Sequence, residues 1–197
     1  MRNLNVTAVA VKTDNIVIDK NEAAVRLKIP RSYTDDTITR CEENLRRVLT
    51  CKYAYTRVSV KIKADNICDL GFGDIESHNL VKALGRCKEA YILGVTIGIG
   101  ADRLISRLAL TSPAESFITD SLASAAAESL CDYADNLLRG ECEKPFRYAP
   151  GYGDMPLSYQ PEILKALNAD YTLGITLNSA NLMTPMKSIT AIMGIKE

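Results

Sequence analysis

Apolar and polar positions change period several times along the chain, and each change marks an element. Val6, Ala8 and Ala10 alternate loosely, and Ile16, Val17 and Ile18 follow, which predicts two short strands within residues 5–18. Asp19 with Glu22 three residues on has the form of a capping box, opening a short helix to Lys28 that Pro30 ends. From Thr34 to Cys51, Ile38, Cys41, Leu45, Val48 and Leu49 recur at helical spacing. Arg40, Glu42, Glu43, Arg46 and Arg47 fall on the other faces, as in a solvated helix. Tyr55 to Lys63 alternates strictly, the mark of a half-buried strand. Asp69 to Asp74, with Gly71 and Gly73, reads as a loop; turn chemistry accounts for Asp74 and for Asp65 before it. Ser77 to Cys87 is helical, Tyr91 to Gly98 is a near-continuous apolar run suited to a covered central strand, and Ala101 to Ala109 is a short helix.

Ser112-Pro113-Ala114-Glu115 then combines an N-cap, a proline at the first helical position and a capping-box glutamate. The helix it opens runs to about Leu138, with a middle of small residues, Ala123-Ser124-Ala125-Ala126-Ala127. Ser121, Ser124, Ala125, Glu128 and Asp132 lie along one stripe, where small side chains beside a carboxylate admit close approach. Tyr159 to Leu167 is a helix, and Thr172 to Leu177 and Ser188 to Ile195 are strands. Helices and strands mix without βαβ alternation, so the pattern predicts an α+β fold with a largely antiparallel sheet.

Composition narrows the class. The 197 residues suit one domain, and 47% apolar content is enough for a sizeable core. Residues 1–32 are set apart as an appended N-terminal element. Twenty-four basic and 24 acidic residues balance, so net charge argues for neither nucleic-acid nor membrane-surface partners. No apolar run approaches the about 20 residues needed to span a bilayer. Met1 to Asn5 opens no signal-peptide pattern, which points to the cytoplasm. The six cysteines form no Cys-x-x-Cys and read as reduced core residues. His78 is the single histidine, so no His-rich metal site is expected. Gly98 and Gly100 are followed by no Gly-Lys-Ser/Thr, which argues against a phosphate-cradling loop.

The chemistry concentrates in Arg147-Tyr148-Ala149-Pro150-Gly151-Tyr152-Gly153-Asp154-Met155-Pro156-Leu157. This stretch has little periodicity and reads as a loop punctuated by Pro and Gly. Pro150 fixes its own φ, Gly151 and Gly153 allow φ > 0 and close approach, and Arg147 offers a planar fork of donors suited to a carboxylate. Arg-x-x-Pro-Gly-Tyr, followed by Pro156, resembles the S-adenosylmethionine loop of the reactivation domain of cobalamin-dependent methionine synthase. Leu173-Gly174-Ile175-Thr176-Leu177-Asn178-Ser179, and then Met183-Thr184-Pro185-Met186-Lys187-Ser188-Ile189-Thr190, are similar to that family's ending. Ala127-Glu128-Ser129-Leu130-Cys131-Asp132-Tyr133 is similar to its Ala-Glu-x-x-x-Glu-Tyr helix. The likeness is good over 147–190, moderate over 77–139 and weak before residue 70. It departs where Ala191-Ile192-Met193-Gly194 replace the family's aromatic ending. The family's early aspartate, in an Asp-Trp context, has no equivalent in a chain without tryptophan.

The resemblance implies a curved, helmet-like sheet with flanking helices, and a stand-alone reactivation subunit of cobalamin-dependent methionine synthase. It implies S-adenosylmethionine bound by this chain, cobalamin carried by a partner corrinoid protein, and a flavodoxin-like or other electron donor. Arg147 would hold the methionine carboxylate, and the Ala149 and Gly151 backbone would meet the adenosyl part. Tyr152 would lie beside the corrin or the methyl group, and Glu128 near the cofactor. The alternative is a non-catalytic S-adenosylmethionine sensor, or a chaperone for another corrinoid methyltransferase.

Overall fold

A central antiparallel sheet of five strands divides the molecule into two cores. The computed structural model describes residues 4–28, 36–140 and 146–195, without the side chains of Asn21 and Glu22. In chain order the strands are β1 (Thr7–Ala10), β2 (Lys52–Ser59), β3 (Lys61–Ala64), β4 (Ile67–Asp69), β5 (Asp74–Glu76), β6 (Glu89–Thr96), β7 (Arg147–Tyr148), β8 (Thr176–Leu177), β9 (Met183–Thr184) and β10 (Ser188–Ile195). The helices are α1 (Lys20–Leu27), α2 (Asp36–Arg46), α3 (His78–Leu84), α4 (Ile99–Thr111), α5 (Pro113–Arg139), α6 (Gln160–Ala166) and α7 (Ala169–Thr172). The main sheet has the order β1-β2-β6-β10-β7; β3-β4-β5 and β8-β9 form two small sheets.

Alternation along the central strands sends side chains into both cores. Leu93 and Val95 of β6, and Ala191 and Met193 of β10, join the core under α2, α4 and α5. Ala90, Ile92 and Ile192 join the opposite core, with Leu80 and Leu84 of α3 and Ile163 and Leu164 of α6. This is why the middle of the sheet reads as a continuous apolar run. The small residues of α5 serve the same packing. Ala123, Ala125, Ala126 and Ala127 are buried, which lets the helix lie close to the sheet.

The predicted α+β class and antiparallel pairing hold. The boundaries differ in instructive ways. Residues 16–18 form no strand: Ile16 and Ile18 are buried and Val17 is exposed, so the alternation is real but the backbone pairs with no neighbour in a sheet. The second helix ends at Arg46; Val48 and Leu49 continue the apolar count in a turn leading to buried Cys51. The alternating run from Tyr55 to Lys63 is two strands, because Val60 lies between β2 in the main sheet and β3 in a small one. The loop from Asp69 to Asp74 is the tip of the β4–β5 hairpin. Residues 169–172, entering the strand expected from Thr172, instead form α7. Ser112 makes no side-chain cap; its backbone amide closes α4 by donating to Leu108.

β1 pairs along β2, and Ile16, Ile18 and Ala23 sit in the α5-side core. Pro30, Thr34 and Cys142 lie outside the described residues, and the Glu22 half of the capping box is likewise undescribed. No helix among the described residues is long and apolar enough to cross a membrane.

Candidate functional site

The C-terminal half of α5 turns a charged stripe toward the outer edge of the sheet. Glu128, Asp132, Asp135 and Arg139 are spaced by four, three and four residues, so they share one helical face. β7 brings Arg147 and Tyr148 alongside, since Met193 pairs with Arg147 and Ile192 with Tyr148. The ladder stops there. The next residues in register would include Pro150, which has no N–H to donate, and the chain turns away. β10 runs on beyond its short partner through Ala191, Thr190 and Ile189. Together with α5 and the loop these residues line a cavity of about 420 Å³. Its other walls are Glu128, Cys131, Asp132, Asp135, Arg139, Phe146, Arg147, Tyr148, Ala149 and Tyr152.

Asp135 and Arg139 are a fixed pair. Arg139 Nε donates to Asp135 Oδ1 at 2.6 Å and Nη2 to Oδ2 at 2.8 Å. Nη1 donates to the Gly194 carbonyl at 3.0 Å, tying the end of α5 to the end of β10. The two side chains are only 4% and 8% exposed, so each charge depends on the other.

Arg147 is held differently. Its Nη1 lies 2.6 Å from Asp132 Oδ1 and 3.8 Å from Asp135 Oδ2, and Nη2 lies 4.0 Å from Glu128 Oε2. The Asp132 contact is the closest of these, and Nη1 itself is buried. Burial works against the Arg147 charge, but Cys131, Asp132 and Asp135 outweigh it and hold the guanidinium above its ordinary pKa. Arg147 is thus a permanent cation in the cavity wall, set against Asp132 and Glu128. Asp132 and Glu128 reach water, with side chains 63% and 41% exposed. Three carboxylates against two guanidiniums give the wall a net charge of minus one.

Cys131 lies at the base of the cavity, and burial pushes its thiol up to about 12. It is therefore a neutral S–H at ordinary pH, and a poor nucleophile. At the mouth, the Tyr152 ring packs 5.6 Å from Phe146 and edge-on 5.5 Å from Tyr148. Tyr152 and Phe146 are both more than half exposed. Among the described residues no group of three or more His, Cys, Asp or Glu side chains could hold a metal ion.

Glu128, Arg147, Ala149 and Tyr152 therefore meet around one cavity, while Gly151 does not line it. The Gly151 amide donates to Met155 O at 2.8 Å, and its Cβ direction faces Leu157. Sequence reading passed over Asp135, Arg139 and Cys131, and assigned Asp132 no role. Extending the Glu128–Asp132 stripe by two more turns of helix would have reached both of the charged ones, Asp135 and Arg139. The contribution of β10 left no local signal, because it depends on where β7 stops.

No protein-family profile matches the chain, and no curated protein is detectably similar to it. Among solved structures, the crystal structure of the MetH reactivation domain bound to AdoHcy superposes with a TM-score of 0.73. The match covers 98% of this chain and 79% of that one, at 15% sequence identity. The chain has the fold of the methionine synthase reactivation domain.

Proposed function

We propose that this chain is a reactivation subunit of cobalamin-dependent methionine synthase. It binds S-adenosylmethionine in the α5–β10 cavity and supports reductive methylation of cob(II)alamin on a partner corrinoid protein. The observation that carries this reading is the Arg147 guanidinium standing beside Glu128 and Asp132 in the wall of a negatively charged cavity. It stands on a fold shared with a domain crystallised with AdoHcy.

The residues present fit the cofactor. S-adenosylmethionine has a carboxylate, an ammonium and a sulfonium, a net charge of plus one. The cavity offers a guanidinium fork and a net charge of minus one. Its volume falls within the range of small-molecule sites. Arg147 would take the carboxylate. Asp132 and Glu128 would face the ammonium and sulfonium, the role for which the sequence offered no aspartate. Ala149 and the free edge of β10 would meet the adenosyl part, and Tyr152 would stand at the mouth toward the corrin. When bound, the sulfonium supplies an activated methyl group for cob(I)alamin, formed when a flavodoxin-like or other donor reduces the cobalt. The protein's work is then to hold and orient, not to move protons. Neutral Cys131 does not compete for the methyl group.

The test is anaerobic. The chain is titrated with S-adenosylmethionine with and without a cob(II)alamin-loaded corrinoid protein, and a reductant is then added. Positive coupling between the two, and methylcobalamin absorbance only after reductant, are expected. Tight S-adenosylmethionine binding with no methylcobalamin would favour a non-catalytic sensor.

A further inference from the structure

Asp154 lies in the 149–155 loop but lines no wall of the cofactor cavity. Four donors nevertheless converge on its carboxylate. Ser77 Oγ donates to Oδ1, and the same hydroxyl accepts from Leu80 N at 3.0 Å as the N-cap of α3. Asn79 N donates to Oδ2 at 3.2 Å, and the Tyr148 hydroxyl to Oδ1 at 3.3 Å. The His78 amide adds to these. Tyr148 reaches Asp154 only because Gly153 stands between them at φ +59°; a Cβ there would collide with the Tyr148 hydroxyl. The next residue, Met155, is 1% exposed and anchored in the core. Tyr148 in turn braces Tyr152 and follows Arg147 directly in β7.

We infer that Asp154 is a positioning residue: it clasps the loop to the start of α3 and so fixes Tyr148, Tyr152 and Ala149 around the cavity before ligand arrives. The inference rests on the function proposed above, but its geometry does not. Preorganisation of this kind raises affinity by removing the ordering cost of the loop on binding. The carboxylate itself is exposed, so its loss should loosen the loop without unfolding the core.

The experiment compares the full chain with Asp154→Ala and Asp154→Asn, all at a temperature well below melting. Hydrogen exchange is followed at the Tyr152 and Met155 amides, which bond Ala149 O and Tyr152 O at 3.1 Å. S-adenosylmethionine affinity is measured by calorimetry. In Asp154→Ala, exchange at both amides should quicken roughly tenfold and affinity should fall about five- to tenfold, with β6 exchange unchanged. Asp154→Asn keeps one acceptor oxygen and should recover part of both effects. Unchanged loop exchange in Asp154→Ala overturns the clasp. A loosened loop with unchanged affinity overturns its positioning role. If the wild-type chain binds no S-adenosylmethionine while the exchange contrast stands, the function proposed above is overturned and the clasp is not.

Discussion

Two arginines line the same cavity, and replacing each by alanine should give opposite results. Removing Arg147 leaves Asp132 and Glu128, whose side chains are 63% and 41% exposed and can return to water. It leaves Asp135 in its two-pronged pair with Arg139. The stability cost should therefore stay at about 1 kcal/mol, as for an ion pair whose carboxylates are largely solvated. The ligand loses a charge-assisted carboxylate contact worth about 1.5–3 kcal/mol, or roughly a ten- to hundredfold loss of affinity. Removing Arg139 instead takes the two-pronged partner from Asp135, 8% exposed, with Arg147 still 3.8 Å away, and releases the Gly194 carbonyl. Breaking a buried pair on one side costs about 3–5 kcal/mol. Thermal or urea unfolding gives the stability, and calorimetry with S-adenosylmethionine gives the affinity. Arg147→Ala should bind weakly and melt nearly normally, whereas Arg139→Ala should melt early. If both variants lose stability alike, or Arg147→Ala binds as well as wild type, the assignment of roles in this cavity is wrong.

Arg147→Lys should recover only part of the affinity in the same titration, since an ammonium lacks the fork. Asp132→Asn and Glu128→Gln should each narrow the preference for S-adenosylmethionine over the neutral-sulfur S-adenosylhomocysteine by about two- to fivefold, read as a ratio of dissociation constants. Gly153→Ala should weaken the loop more than Gly151→Ala. Both residues have positive φ, but only the first Cβ meets Tyr148, and the two melting temperatures should differ accordingly. The Asp154 carboxyl is held below its ordinary pKa, chiefly by the Ser77 hydroxyl. Its stabilisation is thus complete above the usual carboxylate range and lost as pH falls through the lowered value. The difference in melting temperature between wild type and Asp154→Asn should be present at neutral pH and vanish in acid. Tyr152→Ala should slow methylcobalamin formation more than it lowers S-adenosylmethionine affinity, measured under anaerobic reduction.

Elements that bury a face by their own periodicity were legible in the sequence. β10 spans Ser188–Ile195 as read, and Ile38, Cys41 and Leu45 of α2 are buried as their spacing implied. Failures came where one period serves two structures. Val60 sits between β2 and β3 without breaking the alternation, so a single strand was read where the chain changes sheets. At residues 16–18 the alternation survives in burial alone, because no sheet neighbour supplies hydrogen bonds. A pattern of side chains reports which face is covered; it does not report what the backbone pairs with.

The same limit explains the site. Arg147 and Tyr152 drew attention because loop chemistry is local: Pro150 and the glycines punctuate the stretch that carries them. What gives Arg147 its chemistry is not local. Its carboxylate neighbours stand 12 to 19 positions earlier on α5, and it meets them because β7 pairs for two residues with a strand more than 40 positions later. Were that ladder longer, a further strand would close the edge of β10 and fill the cavity. Proline at position 150 has no N–H to donate to β10, so we expect it to help end the ladder and keep this edge open. That makes Pro150 a sharper test of the architecture than any charged residue. Pro150→Ala restores a donor to the loop, and amide exchange at residues 149–151 should slow if β7 then lengthens along β10. Cofactor affinity should fall in the same variant as the cavity closes. A loop whose exchange and affinity both stay as they were would mean that the turn is set by Gly151, Gly153 and Asp154, and not by the missing amide.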